Sequence, residues 1–339
     1  MVQTDFGGPD VVQLQRVPEP EPGAGELLVQ VGACALNRLD VIQRRGPAVI
    51  PGFSLPHIAG MDIAGTVTGR AEGVTTVVEG SRVVIDPTLG CGSCMQCRAD
   101  KRGYCSHARI IGGNSPGGLA ELVAVPADAA VPVPDDVALA EAAALPTAWA
   151  TAWHAVHCVG HVAPGDCVVV QAGASAVGLA AIQLIKRAGA TVVAVASTAT
   201  KLSDAIAAGA DLGVRNDEDL PQAIATFTHG AGADMVLDHV GAETWDSSLG
   251  ALAIGGRLVM LGNISGDRVG FSLADVYHRG LRLLGAGAYS ADDFQTALRV
   301  CFENDLRLPT AGEFGLEDLP DAWDAVEARD TVGKVIVLP

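Results

Sequence analysis

The stretch Cys167-Val168-Val169-Val170-Gln171-Ala172-Gly173-Ala174-Ser175-Ala176-Val177-Gly178-Leu179-Ala180-Ala181-Ile182-Gln183-Leu184-Ile185-Lys186 decides how the chain folds. A short β-branched run ends in small residues, and a helical pattern follows at once. Val177, Ala180, Ala181, Leu184 and Ile185 recur at i, i+3, i+4, i+7 and i+8, so a helix from Ala176 to Lys186 carries one apolar face. The turn is a variant of G-x-G-x-x-G with Ser175 at the middle glycine. Gly173 is expected to permit a tight turn. Ala174, Ser175 and Ala176 let the backbone approach an anion, and Val177 and Gly178 open a helix packed closely on the sheet. An ordinary strand-to-helix turn could use the same residues. The strand before, the helix after and a second strand from Thr191 to Ala196 favour a dinucleotide site.

Strand candidates continue at Met235-Val236-Leu237, Leu258-Val259-Met260 and Leu281-Arg282-Leu283-Leu284, alternating with helical segments. That alternation predicts a doubly wound parallel sheet. Residues 11–125 have another texture, with short strands such as Leu27–Val31, Ala64–Val67, Arg82–Ile85 and Glu121–Val125 between Gly- and Pro-rich turns. These predict a small β-barrel-like domain. Residues 136–158 contain few breakers and read as helical. The tail, ending Gly333-Lys334-Val335-Ile336-Val337-Leu338, reads as helix then strand.

The end of the strand after the glycine turn bears on cofactor choice. NAD enzymes place Asp or Glu there for the ribose hydroxyls. This chain has Ala196, Ser197 and Thr198, then Lys201. Hydroxyls and an ammonium would hold a 2′-phosphate that a carboxylate would repel, so NADPH is the expected cofactor. A plain Ser/Thr helix cap is the competing reading.

The 339 residues are enough for two domains, and 49% are hydrophobic, which predicts full cores. A net charge of −17 argues against a nucleic-acid partner, because phosphate binding needs clustered cations. No apolar run reaches membrane-span length and no signal peptide is visible, so a cytoplasmic location without a membrane partner is expected. Arginine far outnumbers lysine, as a GC-rich bacterial genome would give. Thiols stay reduced in such a compartment, so eight cysteines read as ligands or core residues rather than disulfides.

Four of them, Cys91-x2-Cys94-x2-Cys97-x7-Cys105, have the spacing of a closed tetrahedral zinc site, one ion per chain; an iron–sulfur cluster is the rival reading. Arg98, Lys101 and Arg102 are expected to offset the charge of four thiolates. Cys34, Cys158, Cys167 and Cys301 read as core residues.

Taken together, the chain resembles the medium-chain dehydrogenase/reductase superfamily of zinc alcohol dehydrogenases and quinone reductases. The resemblance rests on Ala35-Leu36-Asn37-Arg38-Leu39-Asp40 with Arg45-Gly46, Gly60-Met61-Asp62-Ile63-Ala64-Gly65, the four-cysteine lobe, Leu145-Pro146 with Thr151-Ala152-Trp153, the glycine turn and the closing Gly333-Lys334-Val335. It implies a GroES-like β-barrel catalytic domain from residues 1–148 and 286–339, with a zinc lobe at 91–105. Residues 149–285 would form a Rossmann domain, with Gly262 beside the cofactor. It also implies a homodimer or homotetramer acting on a small molecule.

Departures from the family pattern shape the expected chemistry. Zinc alcohol dehydrogenases carry a cysteine where this chain has Asn37, Gly-His-Glu where it has Gly60-Met61-Asp62, and a third ligand where it has Thr147. Amide, thioether and hydroxyl are poor zinc ligands, which predicts loss of the catalytic metal. A site rebuilt from Cys34, Asp40, His57 and Asp62 is the alternative, and would leave an alcohol dehydrogenase. Without a metal, hydride addition to a conjugated carbonyl is easier than alcohol oxidation, because hydrogen bonds can stabilise the delocalised charge. Asn37-x-x-Asp40 resembles the metal-free quinone reductase branch. Asn37 is expected to donate to an enolate oxygen, Asp40 to cap a helix or orient Arg44 or Arg45, and Thr147 to face substrate. The expectation is an NADPH-dependent reductase of an enone, enoyl group or quinone. Variants are a reductive cyclase of secondary metabolism and, outside enzymes, a cofactor-binding protein without turnover.

Overall fold

Two strands rich in small and β-branched residues, β1 (Glu26–Ala35) and β2 (Asp62–Arg70), pair antiparallel with Ala35 opposite Asp62. Helix α1 (Arg38–Arg45) follows β1 directly. β3 (Arg82–Ile85) pairs with β2, β4 (Leu122–Pro126) with β1, and β5 (Ala130–Pro132) with β3. Alternation along β1 sends Leu27, Val29 and Val31 into a core with Ile63, Val83 and Val123. The computed structural model describes residues 1–328 and 331–339 and divides into two compact units. One combines Met1–Thr147 with Ser290–Pro339; the other is Ala148–Tyr289.

Residues 136–158 are not one helix. They break into Leu139–Ala143, Pro146–Trp153 and a π-helical turn at His154–Val159. Pro146 causes the first break: it lacks the amide hydrogen a continuing helix needs but suits a helix start. Cys158 stands exposed in the π-helical turn, so it is not the core residue expected; Cys34, Cys167 and Cys301 are buried.

The second unit carries six parallel strands: β6 (Cys167–Val170), β7 (Thr191–Ala196), β8 (Leu212–Arg215), β9 (Ala233–Asp238), β10 (Leu252–Met260) and β11 (Arg282–Gly285). Their order in space is β8-β7-β6-β9-β10-β11. The order reverses between β6 and β9, the place where open α/β sheets bind ligands. Helix α2 (Ala176–Arg187) follows β6 and α3 (Ala199–Ala207) follows β7.

The chain then returns to the first unit through α4 (Ala291–Glu303), β12 (Thr310–Gly315), α5 (Leu319–Ala328) and β13 (Lys334–Leu338). β13 runs antiparallel to β1 with Ile336 opposite Ala35. Arg44 on α1 is 1% exposed, pairs with Glu327 on α5, and lies 5.3 Å over the Trp323 ring. Arg45 pairs with the same carboxylate, so it is Glu327, and not Asp40, that orients both arginines. Among the described residues, no helix is long and apolar enough to cross a membrane.

Candidate functional site

Sheet register builds a polar cluster in the first unit. Ala35 faces Asp62 on one side and Ile336 on the other, so the residue two beyond Ala35 meets the residue two before Ile336. Those are Asn37 and Lys334. The Lys334 ammonium donates to Asn37 Oδ1 at 2.7 Å and to Asp62 Oδ2 at 2.8 Å. Asn37 Nδ2 donates to Asp62 Oδ2 at 3.0 Å. The Thr147 amide donates to Asp62 Oδ1 at 3.1 Å, and the Thr147 hydroxyl donates to the same oxygen. Asp62 is fully buried and Lys334 is 3% exposed, whereas Asn37 and Thr147 are half-buried.

The sequence-predicted residues thus fall into two groups. Asn37 and Thr147 meet around Asp62. Asp40 does not join them: as the third residue of α1, it accepts from the Asn37 backbone amide at 2.7 Å. Burial raises the Asp40 carboxyl to about 7 despite backbone hydrogen bonds from Asn37 and Gly60, and the Asp62 charge adds to the rise. In the sequence Lys334 belongs only to a closing motif, and its place in the cluster depends on a contact across 297 positions.

The cluster is poorly suited to a metal. Asp62 accepts four hydrogen bonds, and an ammonium already neutralises it. Met61 is a buried thioether. His57 places Nε2 3.0 Å from the Gly112 carbonyl oxygen, and Cys34, Asp40, His57 and Asp62 do not converge as a ligand set among the described residues.

In the second unit, the turn after β6 shows why small residues are needed. Ala172, not Gly173, adopts the left-handed conformation, with φ 46°. Gly173 serves close packing instead: a Cβ there would lie 2.8 Å from the Ala194 methyl group on β7. A Cβ at Gly178 would lie 2.6 Å from the Ala172 carbonyl oxygen. Ser175 caps α2, its hydroxyl accepting from the Gly178 amide at 3.0 Å. That leaves the first-turn amides of a 12-residue helix, including those of Ala176 and Val177, beside buried Ala174. His239, just past β9, lies 2.9 Å from the Ser175 hydroxyl through Nε2, and its buried Nδ1 has no partner among the described residues. Gly262 follows β10 and leaves no room for a side chain, since a Cβ would meet the His239 carbonyl oxygen at 2.7 Å.

No carboxylate stands at the end of β7. Ser197 and Thr198 are exposed; the Thr198 hydroxyl caps α3, accepting from the Lys201 amide at 3.3 Å, and Lys201 Nζ lies 3.5 Å from the Ser197 hydroxyl. The cap reading therefore describes Thr198, while Ser197 and Lys201 form a pair beside it. Arg215 at the end of β8 sits in register with Ala196 and forms an ion pair with Asp217. Sequence reasoning missed this cation; its signal was an arginine closing the next parallel strand.

Cys91, Cys94, Cys97 and Cys105 bring their sulfurs within 4.8 Å of one another. Cys91 and Cys97 are 3.9 Å apart, and Cys94 and Cys105 are 3.8 Å apart. A tetrahedral ion with metal–sulfur bonds of ~2.3 Å requires sulfur separations of about 3.8 Å. Backbone amides of Cys97 and His107 point at the Cys94 and Cys105 sulfurs at 3.4 and 3.3 Å. Gly90 allows the lobe to close, because a Cβ there would lie 2.6 Å from the Cys97 sulfur. Arg102, expected to offset the charge of the thiolates, forms an ion pair with Asp86.

Comparison with known proteins identifies related chains for both units. Residues 23–135 match the alcohol dehydrogenase GroES-like domain, and residues 176–303 match the zinc-binding dehydrogenase family. A crystal structure of an NAD-dependent alcohol dehydrogenase superposes with a TM-score of 0.95 at 37% identity, covering 100% of this chain and 98% of that one. An acryloyl-coenzyme A reductase of Sulfurisphaera tokodaii is 26% identical over 96% of both chains. A probable quinone oxidoreductase of Schizosaccharomyces pombe is 29% identical over 100% of this chain and 96% of its own. With its GroES-like unit, its parallel nucleotide-binding sheet and a solved relative aligned end to end, the chain belongs to the medium-chain dehydrogenase/reductase superfamily.

Proposed function

We propose that this oxidoreductase is an NADPH-dependent reductase of conjugated carbonyl compounds, an enone, enoyl group or quinone, working without a catalytic metal. The observation that carries the reading is the Asp62 cluster. Where zinc enzymes of the superfamily hold a metal, this chain has an amide, a thioether and a hydroxyl, and its one carboxylate is saturated by Lys334, Asn37 and Thr147. Such a site offers hydrogen-bond donors, which suit a delocalised enolate better than an alkoxide.

Bound NADPH supplies the hydride. In an enone or enoyl substrate the β-carbon would accept it, with the C=C electron pair moving into an enolate and water protonating the α-carbon. Asn37 Nδ2 donates toward the developing oxyanion, and Thr147 lines the same cluster. Ser197 and Lys201, with Arg215 nearby, provide hydroxyl and cationic partners for a 2′-phosphate; the first-turn amides of α2 receive the pyrophosphate. Cys91, Cys94, Cys97 and Cys105 hold one structural zinc. The similar acryloyl-coenzyme A reductase and quinone oxidoreductase support the reaction class. A homo-oligomer is the expected assembly.

Deuterium transfer from NADPD to a panel of enones, enoyl thioesters and quinones tests the reading. Label at the saturated β-carbon, or the hydroquinone product, is expected, with activity retained after dialysis against a chelator. Label on a carbinol carbon with zinc-dependent recovery would make the chain an alcohol dehydrogenase. Cofactor binding without turnover of any panel member would leave a binding protein.

A further inference from the structure

We infer that Lys334 and Asp62 act together as positioning residues that fix the orientation of the Asn37 amide. This deepens the proposed function and rests on it for the identity of the acceptor, an enolate oxygen.

A primary amide can usually turn over by 180° at little cost in space, because its oxygen and nitrogen are nearly equal in size. At Asn37 it cannot. Oδ1 faces the Lys334 ammonium at 2.7 Å, which has only hydrogens to offer. Nδ2 faces Asp62 Oδ2 at 3.0 Å, which has only lone pairs. Turning the amide over would set NH2 against NH3⁺ and carbonyl oxygen against carboxylate. The two charges therefore select one of two orientations, and they are themselves joined at 2.8 Å.

Asp62 has no freedom to release this grip, since Thr147 occupies its other oxygen through both amide and hydroxyl. Lys334 is held by sheet register, as the first residue of β13. Among the described residues, no second acceptor stands against Asn37 Nδ2. Its remaining hydrogen lies in the amide plane, about 120° from the one given to Asp62. The side chain is half-buried, whereas its two holders are enclosed.

A double-mutant cycle tests this. NADPH oxidation with 2-cyclohexenone, or the best substrate of the panel, is measured for Asn37→Ala, Lys334→Met and the double variant. Asn37→Ala is expected to lower kcat about 10²-fold, the usual effect of removing one oxyanion donor. Lys334→Met should lower kcat by at least tenfold, leave the Kd for NADPH unchanged, and add nothing to Asn37→Ala in the double variant. Effects that multiply would overturn the inference, because Lys334 would then act independently of Asn37. If Lys334→Met does not fold, Lys334→Arg keeps a buried cation that has only hydrogens to offer Asn37 Oδ1 and should retain kcat within a few-fold of wild type; a loss as large as that of Asn37→Ala would overturn the inference. The side-chain amide resonances of Asn37 provide a reading without turnover. In the wild type they should be shifted and slow to exchange, and Lys334→Met should abolish both features. Unchanged resonances overturn the inference even if no conjugated carbonyl is reduced, whereas inactivity of the wild type on the panel with the expected resonances overturns only the substrate class.

Discussion

Replacing Asp62 by asparagine separates charge from shape at the centre of the cluster. The side chain keeps its volume but loses its charge and one acceptor oxygen. Four donors converge on the native carboxylate, and one belongs to an ammonium that is 3% exposed. In Asp62→Asn that ammonium retains no anionic partner and only neutral acceptors, such as the Asn37 carbonyl oxygen. Removing one partner of a buried ion pair costs about 3–5 kcal/mol, since the remaining charge stays uncompensated. For a unit of this size that corresponds to a fall in Tm of roughly 10 °C. Lys334→Met leaves the carboxylate three donors, from Asn37 and Thr147, and should cost less, about 2–3 kcal/mol. The double variant removes both charges and should be less destabilised than the two single effects added together. Thermal and urea unfolding followed by circular dichroism measures all three at pH 7. Strict additivity, or an Asp62→Asn protein as stable as the wild type, refutes the claim that this ion pair is buried and mutually satisfied.

Three further outcomes follow from other parts of the molecule. Metal analysis of protein purified without chelator should give one zinc per chain, and Cys97→Ser should lower stability and zinc content with little change in kcat; two zincs per chain would contradict the assignment. NADPH should bind at least tenfold more tightly than NADH, the equivalent of about 1.5 kcal/mol for a charge-assisted contact, and Lys201→Ala should weaken NADPH but spare NADH in fluorescence titrations. The buried Asp40 carboxyl, raised to about 7, holds its proton in the fold while the unfolded chain loses it above ~4, so its contribution to stability is lost as pH rises from about 4 to 7. At 1.36 kcal/mol per unit this amounts to at most about 4 kcal/mol, and Asp40→Asn should flatten that part of the stability–pH profile; an unchanged slope would show that Asp40 titrates normally.

The parts of this protein that could be read in sequence are those whose partners lie close along the chain. The glycine turn and the four cysteines each occupy fewer than twenty consecutive residues, so spacing alone conveys their geometry. Even there, local detail was redistributed. The left-handed residue is Ala172 rather than Gly173, and Arg102 pairs with Asp86. The Asp62 cluster was legible only as a set of missing ligands. Asn37 and Thr147 stood out because the family carries metal ligands there, but nothing nearby announced that Lys334 would meet them. That contact depends on the register of β13 against β1, a pairing between opposite ends of the chain. Arg215 was overlooked for a related reason, since its place beside Ala196 comes from strand order and not from distance along the sequence.

A buried ion pair is weak evidence for stability, because well-packed apolar side chains of similar volume often serve the fold as well or better. The pairing of Lys334 with Asp62 therefore calls for an explanation in chemistry. A metal ligand would need an exposed lone pair, and Asp62 has none to spare. A general base would need a free oxygen facing substrate, and the same four hydrogen bonds deny it. What the pair does possess is opposite charge on opposite ends of one amide. That arrangement specifies direction: it holds the Asn37 oxygen inward and leaves a nitrogen-bound hydrogen at the margin of the cluster. A zinc ion stabilises negative charge on substrate oxygen by accepting its lone pair. An oriented N–H does so more weakly and without a vacant coordination position. The weaker electrophile suffices when charge spreads over a conjugated system, and falls short when it must localise on an alkoxide. Under the proposed function, the charge pair connects the register of two strands to a preference for reducing an enone over oxidising an alcohol.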